Sequence, residues 1–138
     1  MNSFEVTSFL ADSVDLQQGK IYALGIGWDV LFAQNFPAQH PRIGLGILVN
    51  VPYTQTNKDH LLRISLQDQD GHVVNNLSFT SPFKVGRPPH LNEGDAQILP
   101  FAFNFDGLVF EKASIYRWVI EIDGEIIGGN SMRAAKVA

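Results

Sequence analysis

The chain has 138 residues, of which 45% are hydrophobic and 17% charged, and it carries a net charge of −4 and no cysteine. This length allows one domain with a proper core and is too short for two comfortable ones. The acidic balance and the scattered Lys and Arg residues argue against nucleic-acid binding, and the lack of cysteine excludes disulfides, a thiolate nucleophile and a cysteine-based zinc site.

The N-terminal segment and the surface composition carry two further expectations. The opening MNSFEVTSFLADS has neither the basic region nor the apolar region of a signal peptide, and no apolar run approaches the roughly 20 residues of a spanning helix. We therefore expect a cytoplasmic protein without membrane contact. Because the charged fraction is low, we expect another subunit or a protein partner to cover part of the surface.

The first part of the chain predicts strands separated by polar segments. A strand over residues 4–10 is followed by a polar turn over 12–19 and a long extended piece over 20–33. A loop with two prolines over 35–41 then leads into a strand over 42–52.

Two apolar rows with period two mark the extended piece and the strand that follows it. They are Tyr22, Leu24, Ile26 and Trp28, and then Ile43, Leu45, Ile47, Val49 and Val51. Glycines occupy the opposite faces, as Gly25 and Gly27 on one strand and Gly44 and Gly46 on the other.

Glycine weakens a strand, so these pairs need a physical reason. One interpretation fills the core with Ile26, Trp28, Leu45 and Ile47 and leaves the glycines as a bare outer patch that a second copy approaches closely. The other has a large side chain of a neighbouring strand, Tyr22 or Leu48, lying across them.

The middle of the chain predicts one clear strand and a long irregular region. Residues 54–59 form a loop, after which Leu62, Ile64 and Leu66 alternate with polar residues as a half-buried strand does. Asp70–Gly71 marks a hairpin turn into residues 72–74. We expect residues 75–95 to be mostly loop with one short strand.

The stretch over residues 96–127 is the most regular in the chain. Leu99, Phe101, Phe103 and Phe105 share one face, a break follows at Asp106–Gly107, and the next apolar row is Tyr116, Trp118, Ile120 and Ile122. Asp123–Gly124 predicts a type I′ hairpin turn. We expect a last strand over residues 125–136, with a bulge or a bend at Gly128–Gly129.

Seven to nine short strands and no helix longer than a turn predict an all-β fold, a single immunoglobulin-like Greek-key β-sandwich over residues 1–138. Tyr116 stands where a tyrosine corner of such a domain would be. This likeness of architecture carries no function.

Five stretches together resemble one protein family: FLADSVDLQQGKIYALGIGWD, VPYTQTNKDH, LQDQDGHVV, FKVGRPP and FNFDGLVFEKASIYRWVIEIDGE. The family consists of small uncharacterised bacterial proteins with a domain of unknown function. The resemblance covers nearly the whole chain and implies a free-standing β-sandwich. It implies no activity, cofactor or catalytic residue.

The candidate ligand-binding residues are Arg87, His90 and Trp28. His90 shares a loop with Glu93 and Asp95, which could hold a metal or simply be solvated. Since the loop offers one histidine and the chain no cysteine, we predict no metal and no cofactor. Without a GxSxG motif, we also predict no catalytic residue.

Arg87, within Gly-Arg-Pro-Pro, could meet an anionic ligand from a stiff loop or pair internally with an acid and pin the loop, which we favour. Trp28 ends its apolar row and could be a platform for stacking a sugar. Trp118 is expected in the core.

The sequence thus predicts a non-catalytic binding or assembly module that self-associates or docks on a protein partner, with Gly25, Gly27, Gly44 and Gly46 at or near the interface. Two alternatives stay open. One is a small-ligand or glycan-binding sandwich, and the other a small hydrolase that uses loop residues near His90 and Arg87.

Overall fold

The computed structural model describes residues 4–137 as an all-β protein. The part of the chain described contains ten strands and a single 3₁₀ turn, Tyr53–Gln55. The strands are β1 (Glu5–Ala11), β2 (Ser13–Gln17), β3 (Lys20–Leu24), β4 (Val30–Ala33), β5 (Ala38–Val51), β6 (His60–Gln67), β7 (Val73–Phe83), β8 (Gln97–Phe110), β9 (Ser114–Ile122) and β10 (Glu125–Lys136). Over residues 4–137, no helix is long and apolar enough to cross a membrane.

The strands form two main sheets and one separate hairpin. The first sheet has the order β1-β5-β8 and the second β4-β10-β9-β6-β7, while β2 and β3 pair only with each other. All pairings are antiparallel except that of β4 with β10. Buried residues of both main sheets form one hydrophobic cluster, so the two sheets enclose a common core.

Three strands supply the centre of that core, as their alternation predicts. The apolar row of β5 is fully buried, and so are Leu62, Ile64 and Leu66 of β6 and Trp118, Ile120 and Ile122 of β9, each with 0% exposure. Phe105 of β8 stacks on Trp118 at a centroid distance of 5.1 Å. The core position expected for Trp118 is confirmed.

The region before β5 differs from the prediction in two ways. Residues 12–19 are not a polar turn, because β2 pairs with β3 around Gln18 and Gly19. Residues 20–33 are not one extended piece, since the chain turns between β3 and β4, which belong to different structural units. Gly25 and Gly27 make that turn with φ of +71° and +97°, values that L side chains rarely adopt.

Local turn signals also led to wrong predicted limits for two strands, β7 and β8. β7 occupies the first half of the region expected to be loop, and its Phe79 packs edge-on to Phe103 at 5.1 Å. Asn75 and Asn76 have positive φ yet lie inside the strand. β8 likewise continues through the expected break, with Gly107 at a φ of +71°.

The turn between the last two strands is the type I′ hairpin that its sequence predicts. Asp123 and Gly124 both have positive φ, 53° and 84°. The pairing of β10 with β9 shifts register between Ile126 and Gly128, so the expected bulge is present as well.

Candidate functional site

The hairpin of β2 and β3 lies against the outer side of the first sheet. Val14 and Ala23 are paired on its inner face, and Val14 is 3% exposed. The side-chain amide of Asn104 on β8 accepts a hydrogen bond from the Val14 N–H at 2.9 Å and donates one to the Val14 carbonyl at 2.8 Å. The inner face of the hairpin is therefore fixed to the sheet.

The outer face of the hairpin exposes large apolar side chains. Tyr22 is 55% exposed, Leu24 74%, and Ile26 in the following turn 60%. We call Tyr22, Leu24 and Ile26 the hairpin patch. Single exposed apolar residues are ordinary, but three of this size within five positions are typical of a contact surface.

Two opposite charges share the outer face with Tyr22 and Leu24. Asp15 pairs directly with Tyr22, and Lys20 pairs with Gln17 at the turn end. Because alternate residues of a strand point to the same side, Asp15, Lys20 and Tyr22 all project away from the sheet. The outer face is thus apolar at one end and carries both charge signs at the other.

The bare glycine surface expected on β5 does not exist. Gly44 and Gly46 are buried. A Cβ at Gly46 would lie 2.2 Å from Cζ of Phe9, and one at Gly44 would lie 3.1 Å from the backbone of Ser13 and of Val14. The alternative interpretation is right at Gly46, where a large side chain of a neighbouring strand lies across the glycine, but that side chain is Phe9 and not Tyr22 or Leu48.

The other two glycines are turn residues and not part of a flat strand face. A Cβ at Gly25 would lie 2.2 Å from the Asp12 carboxylate, whereas nothing lies within 4 Å of the corresponding point at Gly27. Ile26, between them, is exposed and not in the core. The structure therefore separates Gly25 and Gly27 from Gly44 and Gly46.

Trp28 lies half-buried beside an open cleft between the two main sheets. Its indole N–H donates to the Gly25 carbonyl at 2.7 Å. The cleft has a volume of about 300 Å³, and we call it the Trp28 cleft; its lining residues are Ser8, Phe9, Leu10, Gly27, Trp28, Asp29 and Asn130. Ser8 of β1 donates a hydrogen bond to Asn130 of β10 across its floor.

Arg87 pins its loop, as expected, but not through an acid. Its guanidinium donates to Thr56 Oγ1 at 2.6 Å and to the Tyr53 carbonyl at 3.3 Å. It also lies 3.9 Å from the centre of the Tyr53 ring. These contacts hold the loop against the 3₁₀ turn, and they occupy the guanidinium of Arg87 with partners inside the protein.

His90 and Glu93 lie exposed on the same loop. Glu93 borders a second open cleft, of about 420 Å³, together with Glu5, Asn50 and Tyr53. Within residues 4–137, His90 does not lie close enough to Glu93 and Asp95 for the three to hold a metal ion together. Neither Arg87 nor His90 lines the cleft that Glu93 borders.

One group in the described residues does have ligand atoms close together, and sequence reasoning missed it. Oxygens of Asp68 and Asp70 and a nitrogen of His72 lie within 4.8 Å of one another. Asp68 Oδ1 accepts from the N–H groups of Asp70 and His72, both at 2.9 Å. The His72 N–H bond is the largest cause that lowers the Asp68 pKa. Asp68 thereby serves to close the β6–β7 turn.

Sequence reasoning also missed a buried histidine, His60, that is paired with Asp123. The His60 side chain is 3% exposed, with Nδ1 2.7 Å from Asp123 Oδ2 and Nε2 2.8 Å from the Gln55 carbonyl. Both ring nitrogens are within hydrogen-bond distance of an oxygen atom. Burial raises the pKa of Asp123, but the hydrogen bonds from His60 and the Leu61 N–H outweigh it, so the pKa is lowered overall.

The His60 pair is a structural link between the β9–β10 turn and the 3₁₀ turn. With Nε2 occupied by a carbonyl and the ring enclosed by Phe4 and Phe83, His60 has no free nitrogen to act as a general base. Asp123 and His60 are 63 positions apart, and no local pattern in the sequence joins them.

Residues 6–135 match the model of a family described as a family of unknown function, DUF6941. No curated protein matches the sequence. The alkylpurine DNA glycosylase AlkC of Pseudomonas fluorescens, solved with DNA containing an abasic site analogue, aligns at 9% identity and a TM-score of 0.49, over 96% of this chain and 30% of that one.

A β-glucosidase of Listeria innocua aligns at 7% identity and a TM-score of 0.48, over 97% of this chain and 16% of that one. The chain therefore spans less than a third of either protein. Similarity at this level carries no functional argument.

Proposed function

We propose that this chain, which belongs to the DUF6941 family because the family model covers residues 6–135, is a non-catalytic assembly module that pairs with a second copy of itself. The hairpin patch is the observation that carries this proposal. Its three side chains are between 55% and 74% exposed and lie within five positions of one another, whereas other exposed apolar side chains such as Phe32, Ile98 and Ile126 lie on different strands. Covering them would remove apolar area from water, which favours association.

The charges beside the patch favour a second copy over an unrelated partner. A two-fold symmetric contact brings the same surface of each copy together, so it must be complementary to itself. The outer face of the hairpin meets this requirement, because it carries Asp15 and Lys20 next to Tyr22. In an antiparallel arrangement, Lys20 of each copy faces Asp15 of the other.

We also infer that the sandwich is immunoglobulin-like with Greek-key connections. The orders β1-β5-β8 and β10-β9-β6-β7 in the two sheets support this, because they follow the neighbour relations of such domains. Tyr116, near the start of β9, donates its hydroxyl to the Lys112 carbonyl at 2.9 Å, as a tyrosine corner does. An experimental structure would test this inference.

The test of self-association is the molar mass in solution over a wide concentration range. The parent protein should show a concentration-dependent dimer by light scattering or analytical ultracentrifugation. Leu24→Ser should weaken that dimer by at least tenfold in Kd. Ile98→Ser is the matched control, because Ile98 is 69% exposed on β8, away from the patch, and should leave the dimer unchanged.

A charge exchange sharpens the test. Lys20→Asp and Asp15→Lys should each weaken the dimer by repulsion, and the double variant should restore it. A parent that stays monomeric at every concentration overturns the proposal. Equal weakening by Leu24→Ser and Ile98→Ser would place the contact elsewhere.

A further inference from the structure

We propose that the Trp28 cleft binds one ring of a neutral carbohydrate. The cleft is formed where the edge of the first sheet meets β10 of the second, and none of its lining residues belongs to the hairpin patch. Its lining combines an aromatic ring with a hydroxyl, an amide and a carboxylate, on Trp28, Ser8, Asn130 and Asp29.

The indole is held in place before any ligand arrives. Its N–H is already donated to the Gly25 carbonyl, and Trp28 packs in part on the hydrophobic core. A ligand therefore needs to offer no acceptor to the indole and has only to cover its apolar face. The C–H groups on one side of a sugar ring do this, and a fixed ring loses little entropy on binding.

Two polar groups in the cleft remain open for hydrogen bonds. Among residues 4–137 nothing pairs with the exposed Asp29 carboxylate, whose backbone carbonyl is fixed by the Arg133 N–H at 2.8 Å. Asn130 accepts from Ser8 through Oδ1, so its Nδ2 stays available as a donor. A cleft whose lining offers both an acceptor and a donor suits the hydroxyl groups of a sugar, which donate and accept.

The size and charge of the cleft narrow the ligand class. A volume of about 300 Å³ lies at the lower end for small-molecule sites, enough for a single ring. Among the described residues that line it there is one carboxylate, Asp29, and no Lys or Arg, so the lining favours a neutral ligand over a phosphorylated or acidic one. A neutral hexose unit fits these conditions.

The experiment uses the indole itself as the reporter. The chain has two tryptophans, and Trp118→Phe leaves Trp28 as the single one. Titration of this variant with maltose, cellobiose, lactose and chitobiose should give a saturable change of fluorescence with at least one of them. Calorimetry on the parent protein with the same sugars removes any dependence on the Trp118 substitution.

Two variants assign the binding to the cleft. Asp29→Asn removes the acceptor charge on an exposed side chain and should weaken binding at least tenfold, whereas the control Asp95→Asn, on the β7–β8 loop, should not change it. Trp28→Ala should abolish binding in calorimetry. Circular dichroism should show each variant folded.

The outcomes separate this proposal from the one on self-association. Leu24→Ser should leave sugar binding unchanged, and Asp29→Asn should leave the oligomeric state unchanged. The proposal is overturned if the parent binds none of the four sugars, if binding survives in Trp28→Ala or Asp29→Asn, or if adenosine binds in place of the sugars.

Discussion

Two apolar rows with the same alternating pattern have opposite positions in this protein. The row on β5 is fully buried, with 0% exposure at Ile43, Leu45, Ile47, Val49 and Val51. In the hairpin patch, Tyr22, Leu24 and Ile26 are between 55% and 74% exposed. β5 is the middle strand of its sheet, and its apolar row faces the second sheet. β3 lies on the outer side of the first sheet, and the face opposite to Tyr22 and Leu24 rests on that sheet.

This difference shows that alternation identifies a strand with one apolar face but does not say whether the core or another surface covers that face. On β3, Ile21 and Ala23 face the sheet and are partly buried, while Lys20, Tyr22 and Leu24 face outward and are exposed. The hairpin thus covers one of its faces with the first sheet and leaves the other for another surface. This is why the exposed row is the better candidate for a contact.

The strongest way to break the comparison is one substitution made in both rows. Leu45→Ala should lower the free energy of unfolding by about 2–5 kcal/mol, because it leaves a cavity in the core. Leu24→Ala should change it by less than about 0.5 kcal/mol in the monomer. Chemical denaturation at a concentration where the parent is monomeric measures both, and similar losses would contradict the assignment of faces.

The back of β5 offers a second test. Gly46→Ala places a Cβ where the ring of Phe9 now lies, so it should destabilise by about 1–3 kcal/mol. Gly86→Ala is the control, since the nearest atom there is 3.9 Å away and no positive φ is involved. In a Phe9→Ala background the cost of Gly46→Ala should fall, and an unchanged cost would show that Phe9 does not cover this site.

The hairpin turn after β9 allows a test of local backbone conformation, separate from the burial of the apolar rows. Gly124→Val puts a β-branched residue at a φ of +84° and should cost about 1 kcal/mol or more in stability. Gly124→Asn should cost less, because asparagine tolerates this region. Equal melting temperatures for parent and Gly124→Val would count against the type I′ turn.

The smallest expected effect concerns the charge at Asp123. Asp123→Asn keeps the positive φ of the turn and removes only the carboxylate that meets His60. Since the pKa of Asp123 is lowered below its ordinary value of 3.8, the carboxylate contributes stability that is present above that value and lost as pH falls through the folded pKa. The parent should be the more stable protein at pH 7, and the difference between the thermal melts should shrink as pH falls below the ordinary pKa of the carboxylate.

The central strands of both sheets could be predicted from the sequence because each buries one full row of alternating residues. β6 and β9 are as clear as β5, and the turn at Asp123–Gly124 has residues that tolerate positive φ. The sequence did not predict β2, and it placed most of β7 in a loop, for a local reason. Gln18 and Asn75 adopt positive φ, and polar residues around them look like the end of ordered structure.

The candidate sites were less accessible to sequence reasoning than the fold. Arg87 was predicted to pin its loop because a long loop on a small domain needs anchoring, yet its partners are a hydroxyl, a carbonyl and a ring. Trp28 was singled out by its residue type and its position at the end of an apolar row, while β1 and β10 supply the distant residues that give it a cleft. The glycines of β5 were noticed correctly, but the ring that covers Gly46 depends on the pairing of β1 with β5.

The side chain of Asn104 has a consequence for motion in this protein. Its amide makes the two hydrogen bonds to Val14 that a residue of an adjacent strand would make, so at this point the hairpin is held by a single side chain. If that link opens, the Val14 amide meets water while both sheets stay closed. The rate of deuterium uptake at the Val14 amide would then report how often the hairpin separates from the sheet, independently of the opening of the two sheets.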